Sequence, residues 1–240
     1  MTGPTGIVPD FPNRIAYQGN GVVPPPRDEW VASLSRRFRR RRMSRFARKF
    51  GITATARVLD VGGTPECWDL LPVRPRVVLL NAPRAKEELA AAVTWVAGDG
   101  CRLPFLDQSF DVVFANSVIE HVGDAARQRQ FASEVARVGR GYWVQTPNRW
   151  FPIEQHLLTP LVHWLPKEWQ RVLVPRIAVW KFLARVTPER RQWYLMHYLN
   201  DVRLLSAREM QELFPGARLL RERLCGLTKS IVAVRKRETS

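Results

Sequence analysis

The sequence predicts an α/β protein with a doubly wound, mostly parallel sheet of seven strands and an antiparallel hairpin at its C-terminal edge. Beyond Gly51, short β-branched runs alternate with stretches of helical length, which is typical of a parallel sheet covered by helices. The last two runs are separated only by a short turn, which indicates an antiparallel pair. With 240 residues, 45% of them hydrophobic, the chain is long enough to bury one substantial core. The seven runs are RVLDV, RVVLLN, TWVAG, FDVVFANS, GYWVQT, ARLLRERLCG and KSIVAVRKR.

The N-terminal part of the chain precedes these strands and is strongly basic. Residues 1–27 contain repeated Pro and Gly without apolar periodicity, so we interpret them as an extended arm. Helix formers dominate from Asp28 to Phe50, but the apolar positions before and after the arginines are out of register, and we expect the helix to bend or break near Arg40. Arg36 to Lys49 holds nine basic residues in fourteen, within a chain of net charge +16.

Three interpretations of the basic run stay open. It forms a solvated helix face, it contacts a phosphorylated or lipid-linked acceptor, or it contacts RNA phosphates. No recognised RNA-binding motif accompanies the charge, so nucleic acid is the least favoured partner.

Helical stretches and one long insertion connect the strands. Helices are expected at Ala85 to Ala92 and at Asp124 to Val138, the second with Phe131, Val135 and Val138 on one face. After Pro147 the alternation stops for roughly fifty-five residues, before a helix that Ser206 caps. We therefore expect an insertion at about 148–203, of the kind that carries specificity.

The loop after the first strand is the first place to look for a ligand, because open α/β sheets bind ligands at the carboxyl ends of their strands. Its sequence is Gly62-Gly63-Thr64-Pro65. A dinucleotide loop needs G-x-G-x-x-G, but that frame gives Gly, Thr and Cys here, and no G-K-[ST] of a phosphate-binding loop follows. The two glycines instead leave bare peptide against which a ligand without phosphate can lie.

Two segments together resemble class I S-adenosylmethionine-dependent methyltransferases, which have a Rossmann-like fold. They are VLDVGG at Val58 to Gly63 and GDGCRLPFLDQSFDVVFANSVIEHV at Gly98 to Val122. The resemblance covers Arg57 to Pro147 well and the final helix and hairpin loosely. It implies an enzyme that transfers a methyl group from S-adenosylmethionine and releases S-adenosylhomocysteine.

The resemblance also implies the residues that bind the cofactor. Asp60 is expected near the methionine ammonium, and Gly62 and Gly63 where the backbone approaches the cofactor. Asp99 is expected at the adenine amino group, with Gly100 and Cys101 beside the ring, and Asn116 near the methionine moiety. Asn81 ends the second strand where the family usually has an acidic residue on the ribose, and an amide still bonds one hydroxyl.

A catalytic base is needed only where the acceptor must lose a proton. The catalytic candidates are Glu120 and His121, directly after the fourth strand, and His156 in the insertion. His121 lies in the family-like EHV segment, where bracing the loop is an alternative role. The expected substrate-binding residues are Glu154, His156, Tyr194, His197 and Tyr198. Glu154 and His156 are two apart and share a face on an extended backbone.

The tryptophan-rich middle of the insertion has three interpretations. Trp164, Trp169 and Trp180 alternate with arginines and lysines there. As a lid, the insertion closes a hydrophobic acceptor pocket; as an interfacial helix pair, it sets indoles and basic side chains at a bilayer surface. Core packing is the third explanation for the tryptophans.

Cysteine usage and the N-terminus suggest a cytoplasmic protein. Cys67, Cys101 and Cys225 form no CxxC pair, and the absence of clustered histidines in the sequence predicts no metal site. The start lacks a signal-peptide pattern, and no window reaches the ~18 apolar residues of a spanning helix. The expected location is the cytoplasm, with peripheral membrane contact and homo-oligomerisation left open.

The sequence thus predicts an arm and basic helix at residues 1–50 and a methyltransferase domain at 51–240. The expected acceptor is a small or amphipathic metabolite, a natural product or a lipid or glycolipid precursor. The alternative is a non-catalytic cofactor-binding or membrane-associated scaffold.

Overall fold

The computed structural model describes residues 29–82, 94–177 and 196–236. The predictions for the arm at 1–27, for a helix at Ala85 to Ala92, and for Tyr194 and Trp180 lie outside these residues.

Seven strands form one sheet in the order β3-β2-β1-β4-β5-β9-β8. The first five are parallel, whereas β9 runs antiparallel to both of its neighbours. The predicted doubly wound sheet with an antiparallel edge hairpin is therefore confirmed. The strands are β1 (Arg57–Val61), β2 (Arg76–Asn81), β3 (Thr94–Ala97), β4 (Phe110–Asn116), β5 (Gly139–Pro147), β8 (Arg218–Leu224) and β9 (Leu227–Arg235).

Helices cover both faces of the sheet. One face packs against α2 (Ala125–Val138), whose Phe131, Val135 and Val138 are buried as predicted. Strand side chains alternate between the faces, so Val113 packs on the α2 side while Phe114 packs on the other.

The first residues of two helices are determined by capping side chains in the sequence. The Asp124 side chain accepts from the backbone N–H of Arg127 and so caps α2. The helix α4 (Ala207–Leu213) begins at Ser206 with a capping box, in which Ser206 and Glu209 satisfy each other's backbone N–H. The predicted cap is therefore confirmed.

The basic helix α1 (Glu29–Phe50) is continuous, so the break expected near Arg40 is wrong. Its buried face includes Met43 and Phe46, which pack on the sheet beside Trp68. Arg42 belongs to this face, because it is four residues from Phe46 and 9% exposed. The apparent loss of register arose from assigning Arg42 to solvent.

Glu222 on β8 is the partner that allows Arg42 to be buried. The Arg42 guanidinium donates from Nε to Oε1 of Glu222 at 2.8 Å and from a second nitrogen to Oε2 at 2.5 Å. It also donates to the Asn116 side chain at the end of β4. The other basic residues of the run, described from Arg36 onward, are exposed, which is the solvated-face interpretation.

The insertion between β5 and α4 has a small core of its own. It contains the short pair β6 (Ile153–Glu154) and β7 (Thr159–Pro160), the helix α3 (Lys167–Ile177) and helical residues 196–201. These elements bury a separate apolar cluster of Leu157, Val162, Val174, Tyr198, Leu199 and Val202. No helix among the described residues has both the length and the apolar character needed to cross a membrane.

Replacing Glu222 by glutamine leaves the buried Arg42 guanidinium without its counter-charge, so we expect the free energy of unfolding to fall by about 3 kcal/mol. The double variant Arg42→Met with Glu222→Leu should recover most of that loss. Urea denaturation followed by circular dichroism measures both. Glu212→Gln breaks an exposed pair with Arg208 and is the matched control, with an expected change below about 0.5 kcal/mol. Equal losses at Glu222 and Glu212 would contradict the assignment.

Candidate active site

The loop after β1 requires glycine at both of its first positions. Gly62 has φ +73°, and a Cβ there would lie 2.6 Å from the Val118 side chain. A Cβ on Gly63 would lie 1.7 Å from Oδ2 of Asp60. Bare peptide therefore faces outward at this loop because side chains of the protein already occupy the space behind it.

Asp60 lies beneath this loop and is completely buried. Its Oδ2 accepts a hydrogen bond from Nε1 of Trp68 at 2.8 Å, while its Oδ1 has no hydrogen-bond partner among the described residues. Burial raises the pKa of the Asp60 carboxyl to about 7, and the Trp68 hydrogen bond opposes that rise only in part. The predicted contact of Asp60 with an ammonium group stays a prediction, since its carboxylate faces Trp68 here.

The other residues expected at the cofactor also end neighbouring strands. Nδ2 of Asn81 donates to the carbonyl of Gly63 at 3.1 Å and so braces the glycine loop. Both carboxylate oxygens of Asp99 accept from Arg127, at 3.0 and 2.9 Å, and Oδ1 also accepts from the N–H of Cys101.

A Cβ on Gly100 would lie 3.0 Å from the Phe131 ring, a tight contact that requires the ring to shift slightly. Asn116 accepts from Arg42, a contact that the sequence analysis missed. Spacing was the available signal, because Phe38, Arg42, Phe46 and Phe50 are each four residues apart on α1. The predicted cofactor residues thus lie together at the carboxyl ends of the parallel strands, and their roles stay predictions.

A second group of side chains lies after β4, where Glu120 and His121 meet residues of the insertion. Nε2 of His156 lies 3.2 Å from Nε2 of His121, and Nδ1 of His156 lies 2.6 Å from Oε1 of Glu154. The His197 ring stacks on that of His121, with centroids 5.6 Å apart and planes 6° apart. The prediction of no metal site relied on the separation of these histidines in sequence. The structure brings them together, and the absence of a metal stays a prediction.

Burial controls the charge of this histidine group. It raises the pKa of the fully buried Glu120 carboxyl to about 7, against the opposing effect of the nearby His156. It lowers the pKa of His121 well below its usual value, and the neighbouring His156 and His197 lower it further. His121 is therefore neutral at physiological pH.

A cavity of about 560 Å³ opens between His121 and the insertion. Of the predicted catalytic residues, His121 alone lines it, and of the predicted substrate-binding residues in the described chain, Tyr198 alone does. Glu154, His156 and His197 do not line the cavity. Nδ1 of His197 lies 2.7 Å from Oδ2 of Asp201, which does line it. The sequence analysis missed the cationic part of the lining, which consists of Arg127, Arg149, Lys167 and Arg203.

Two of these cations have carboxylate partners and two do not. Arg127 pairs with Asp99, and Arg203 pairs with Glu209 at 2.7 Å. Neither Arg149 nor Lys167 pairs with a carboxylate in the part of the chain that the structure describes. No sequence pattern indicated these two residues, because they lie well apart along the insertion.

A seven-stranded sheet in the order β3-β2-β1-β4-β5-β9-β8, with only β9 antiparallel to its neighbours, matches the Rossmann-like methyltransferase fold. Residues 72–141 match the family described as methyltransferase domain. The match covers less than a third of the chain and bears out the predicted methyltransferase class for that part.

Solved structures resemble this chain in fold at low sequence identity. A protein from Rhodobacter sphaeroides described as a zinc-dependent alcohol dehydrogenase has TM-score 0.53 and 11% identity, over 78% of this chain and 86% of that one. A Haloferax volcanii protein described as a methyltransferase, in complex with an activator, has TM-score 0.49 and 16% identity, over 86% and 93%. An S-adenosylmethionine-dependent methyltransferase from Aquifex aeolicus has TM-score 0.45 and 13% identity, over 80% and 88%. No curated protein matches the chain. A shared fold at these identities carries no substrate with it.

The residues around the β1 loop fit S-adenosylmethionine. This cofactor carries a sulfonium cation, an ammonium and a neutral adenosine but no phosphate, so it needs carboxylates and bare peptide. Gly62 and Gly63 supply the bare peptide, Asp60 lies directly against Gly63, and Asp99 is the second carboxylate expected at the cofactor. The unpartnered Oδ1 of Asp60 is a buried acceptor directly beneath that peptide.

Replacing Asp60 by asparagine should change how stability depends on pH. Because the carboxyl pKa rises from 3.8 to about 7 on folding, the native state holds a proton that the unfolded state loses. The resulting stabilisation is complete below about pH 4 and is lost as the pH rises through 7. Relative to Asp60→Asn, which still accepts from Trp68, the wild-type free energy of unfolding should fall by roughly 1.4 kcal/mol per pH unit over this window. Chemical denaturation at several pH values measures it, and a constant difference would contradict the burial argument.

Proposed function

We propose that the chain methylates an amphipathic acceptor that carries an anionic group, and that the reactive end of the acceptor binds in the cavity beside His121. The observation that carries this proposal is the cavity itself, which lies between the turn after β4 and the insertion. Natural products and lipid or glycolipid precursors both include molecules of this chemistry. The sheet edge with the predicted cofactor residues adjoins the cavity, because Arg127 contacts Asp99 and also lines the cavity.

The charge of the lining supports an anionic group on the acceptor. The carboxylates of the lining are already engaged, since Asp124 caps α2 and Asp201 pairs with His197. Arg149 and Lys167 are the lining cations without such a partner in the described chain. Burial lowers the pKa of Lys167, and an anion beside its ammonium group would oppose that shift. Charge-assisted hydrogen bonds from two side chains suit a carboxylate or a phosphate.

The chain's own contribution to the reaction is alignment and exclusion of water. S-adenosylmethionine supplies an activated methyl group, so the protein mainly has to hold the acceptor in line with it. His121 is the predicted catalytic residue at the cavity wall, and it is held by the ring contacts with His156 and His197. A neutral imidazole there accepts a proton when the acceptor has one to lose.

Release of S-adenosylhomocysteine in the presence of candidate acceptors tests the proposed function. The acceptors carry a hydroxyl or amino group, with or without a carboxylate or phosphate, and with or without an alkyl chain. We expect turnover only with anionic amphipathic acceptors. A preference for uncharged or cationic acceptors would contradict the proposal, and cofactor binding without transfer to any acceptor would favour the scaffold alternative.

Lys167→Gln and Arg149→Gln should each raise the KM for the anionic acceptor at least about tenfold and leave cofactor affinity unchanged, because each removes one charged hydrogen bond to the acceptor. Steady-state kinetics and calorimetry measure the two quantities. Arg208→Gln removes an exposed cation on α4, away from the cavity, and is the matched control. Equal effects at Arg208 and Lys167 would argue against a built anion site.

We also propose that the outer surface of the insertion contacts an anionic membrane, from which it takes such an acceptor. The supporting observation is an exposed apolar surface, called here the insertion surface. Trp150 and Trp169 are 61% and 62% exposed, and the rings of Trp150 and Trp164 lie 6.2 Å apart. Indoles beside cations are typical of a bilayer interface. The insertion surface consists of Trp150, Ile153, Leu161, Trp164, Leu165, Trp169, Val172 and Ile177.

Sedimentation with vesicles that contain phosphatidylglycerol measures this contact. We expect strong pelleting at low salt that weakens as salt is added, because the arginines of α1 and the insertion contribute electrostatic attraction. Trp150→Ser with Trp169→Ser should abolish most of it. Leu106→Ser is the matched control, since Leu106 is 81% exposed and precedes β4, at the opposite edge of the sheet. Pelleting that the paired variant leaves unchanged would contradict the role of the insertion surface.

A further inference from the structure

Three side chains of the candidate active site place atoms that can bind a metal ion close to one another. Glu120 and His121 come from the turn after β4, and His156 comes from the insertion, thirty-five residues after His121. One ligand atom from each lies within 4.8 Å of the other two. Nε2 of His121 is 3.2 Å from Nε2 of His156 and 4.0 Å from Oε1 of Glu120.

We infer that Glu120, His121 and His156 form a binding site for a divalent transition-metal ion, with Zn²⁺ as the type that the ligands suit best. Zn²⁺ binds histidine nitrogen and carboxylate oxygen at about 2.0 to 2.2 Å, so two ligand atoms on a tetrahedral ion are about 3.3 Å apart. The separation of the two histidine nitrogens already has that value. The Glu120 oxygen lies 4.0 Å from Nε2 of His121 and has to come about 0.7 Å closer to that nitrogen to reach this value.

The residues behind the ligands have the arrangement that metal sites use. A histidine that binds a metal through one nitrogen usually donates its other N–H to a carboxylate, which fixes the ring. Nδ1 of His156 lies 2.6 Å from Oε1 of Glu154, which is itself buried and accepts from the N–H of Leu157 through its second oxygen. The second oxygen of Glu120 likewise accepts from Thr146 at 2.9 Å.

An unpartnered atom points to a ligand rather than to a simple hydrogen-bonded histidine pair. The Glu120 side chain is completely buried, and its Oε1 has no hydrogen-bond partner among the described residues. A hydrogen bond between His121 and His156 satisfies their facing nitrogens but leaves this buried oxygen without a partner, which is unfavourable. A cation between the three groups satisfies all three atoms at once.

The site adjoins the cavity, because His121 lines the cavity and its Nε2 lies 3.2 Å from Nε2 of His156. Three protein ligands with one open position are typical of catalytic metal sites, where the ion polarises an oxygen of the substrate. This use of the ion on an acceptor oxygen rests on the proposed methyl transfer and takes the place of proton transfer to His121, whereas the binding of the ion depends on neither.

Metal titration of the untagged full chain tests the site. The protein is stripped with a chelator, and ZnCl₂ and CoCl₂ are then titrated by calorimetry and absorption spectroscopy. We expect one equivalent of each metal to bind, with visible Co²⁺ bands and no sulfur-to-cobalt charge-transfer band. His156→Gln and Glu120→Gln should each weaken binding at least about tenfold. His163→Gln is the matched control, because His163 also lies at the cavity but outside the three-ligand cluster, and it should bind metal as the wild type does.

Several outcomes would overturn the site: no uptake by the wild type, uptake that His156→Gln and Glu120→Gln leave unchanged, or a charge-transfer band that assigns the metal to a cysteine. If these variants do not fold, the Co²⁺-loaded wild type still decides, because ligated histidines give paramagnetically shifted, exchangeable imidazole resonances. Their absence refutes the site. Failure of methyl transfer with metal bound counts against the proposed function and leaves the site standing, whereas full transfer by metal-free protein refutes only the ion's role on the acceptor.

Discussion

The contact that joins the insertion to the turn after β4 is the one on which the histidine group and the cavity depend. Gln128 on α2 is completely buried and donates from one nitrogen to two carbonyls, Ile119 in the turn and Arg203 in the insertion, each at 3.0 Å. The N–H of Arg203 donates in turn to the carbonyl of Glu120 at 2.8 Å. Backbone groups of two remote segments are thus satisfied by the Gln128 side chain and by each other, and that requirement fixes where the insertion lies.

Arg42 imposes a similar long-range constraint on the face of the sheet that α1 covers. A charge is buried at this point because two side chains from remote segments, Glu222 and Asn116, converge on the guanidinium. One of them is a residue predicted near the cofactor, so α1 is coupled to that region through a single side chain. The basic run therefore has one member with a defined structural role among otherwise exposed residues.

The parts of the structure that sequence predicted are those that local patterns determine. Strand β5, the buried face of α2 and the cap at Ser206 follow from apolar spacing and from one side chain on the adjacent backbone. The glycine loop was also predicted, because its function depends on an unbroken stretch of sequence. The meeting of His121 with His156 depends instead on the path of the insertion, which no local pattern encodes.

The same distinction explains the error at α1. Apolar periodicity treats every arginine as a solvent-facing residue, whereas the burial of Arg42 depends on a glutamate 180 residues away. Spacing alone would have retained the register, since Arg42 is four residues from both Phe38 and Phe46. The four-residue spacing along α1 identifies its buried face correctly, even though one of the residues on that face is an arginine.

The described tryptophans of the insertion are not explained by core packing. The insertion builds its own apolar cluster from residues such as Leu157, Val162 and Tyr198, and Trp150, Trp164 and Trp169 lie outside it. Exposed apolar side chains of this size contribute little to folding, and a monomeric surface rarely keeps a contiguous patch of them without a use. The described part of the insertion therefore contributes two distinct sets of residues. Lys167 and Tyr198 line the cavity, whereas the exposed indoles lie outside the insertion's own core.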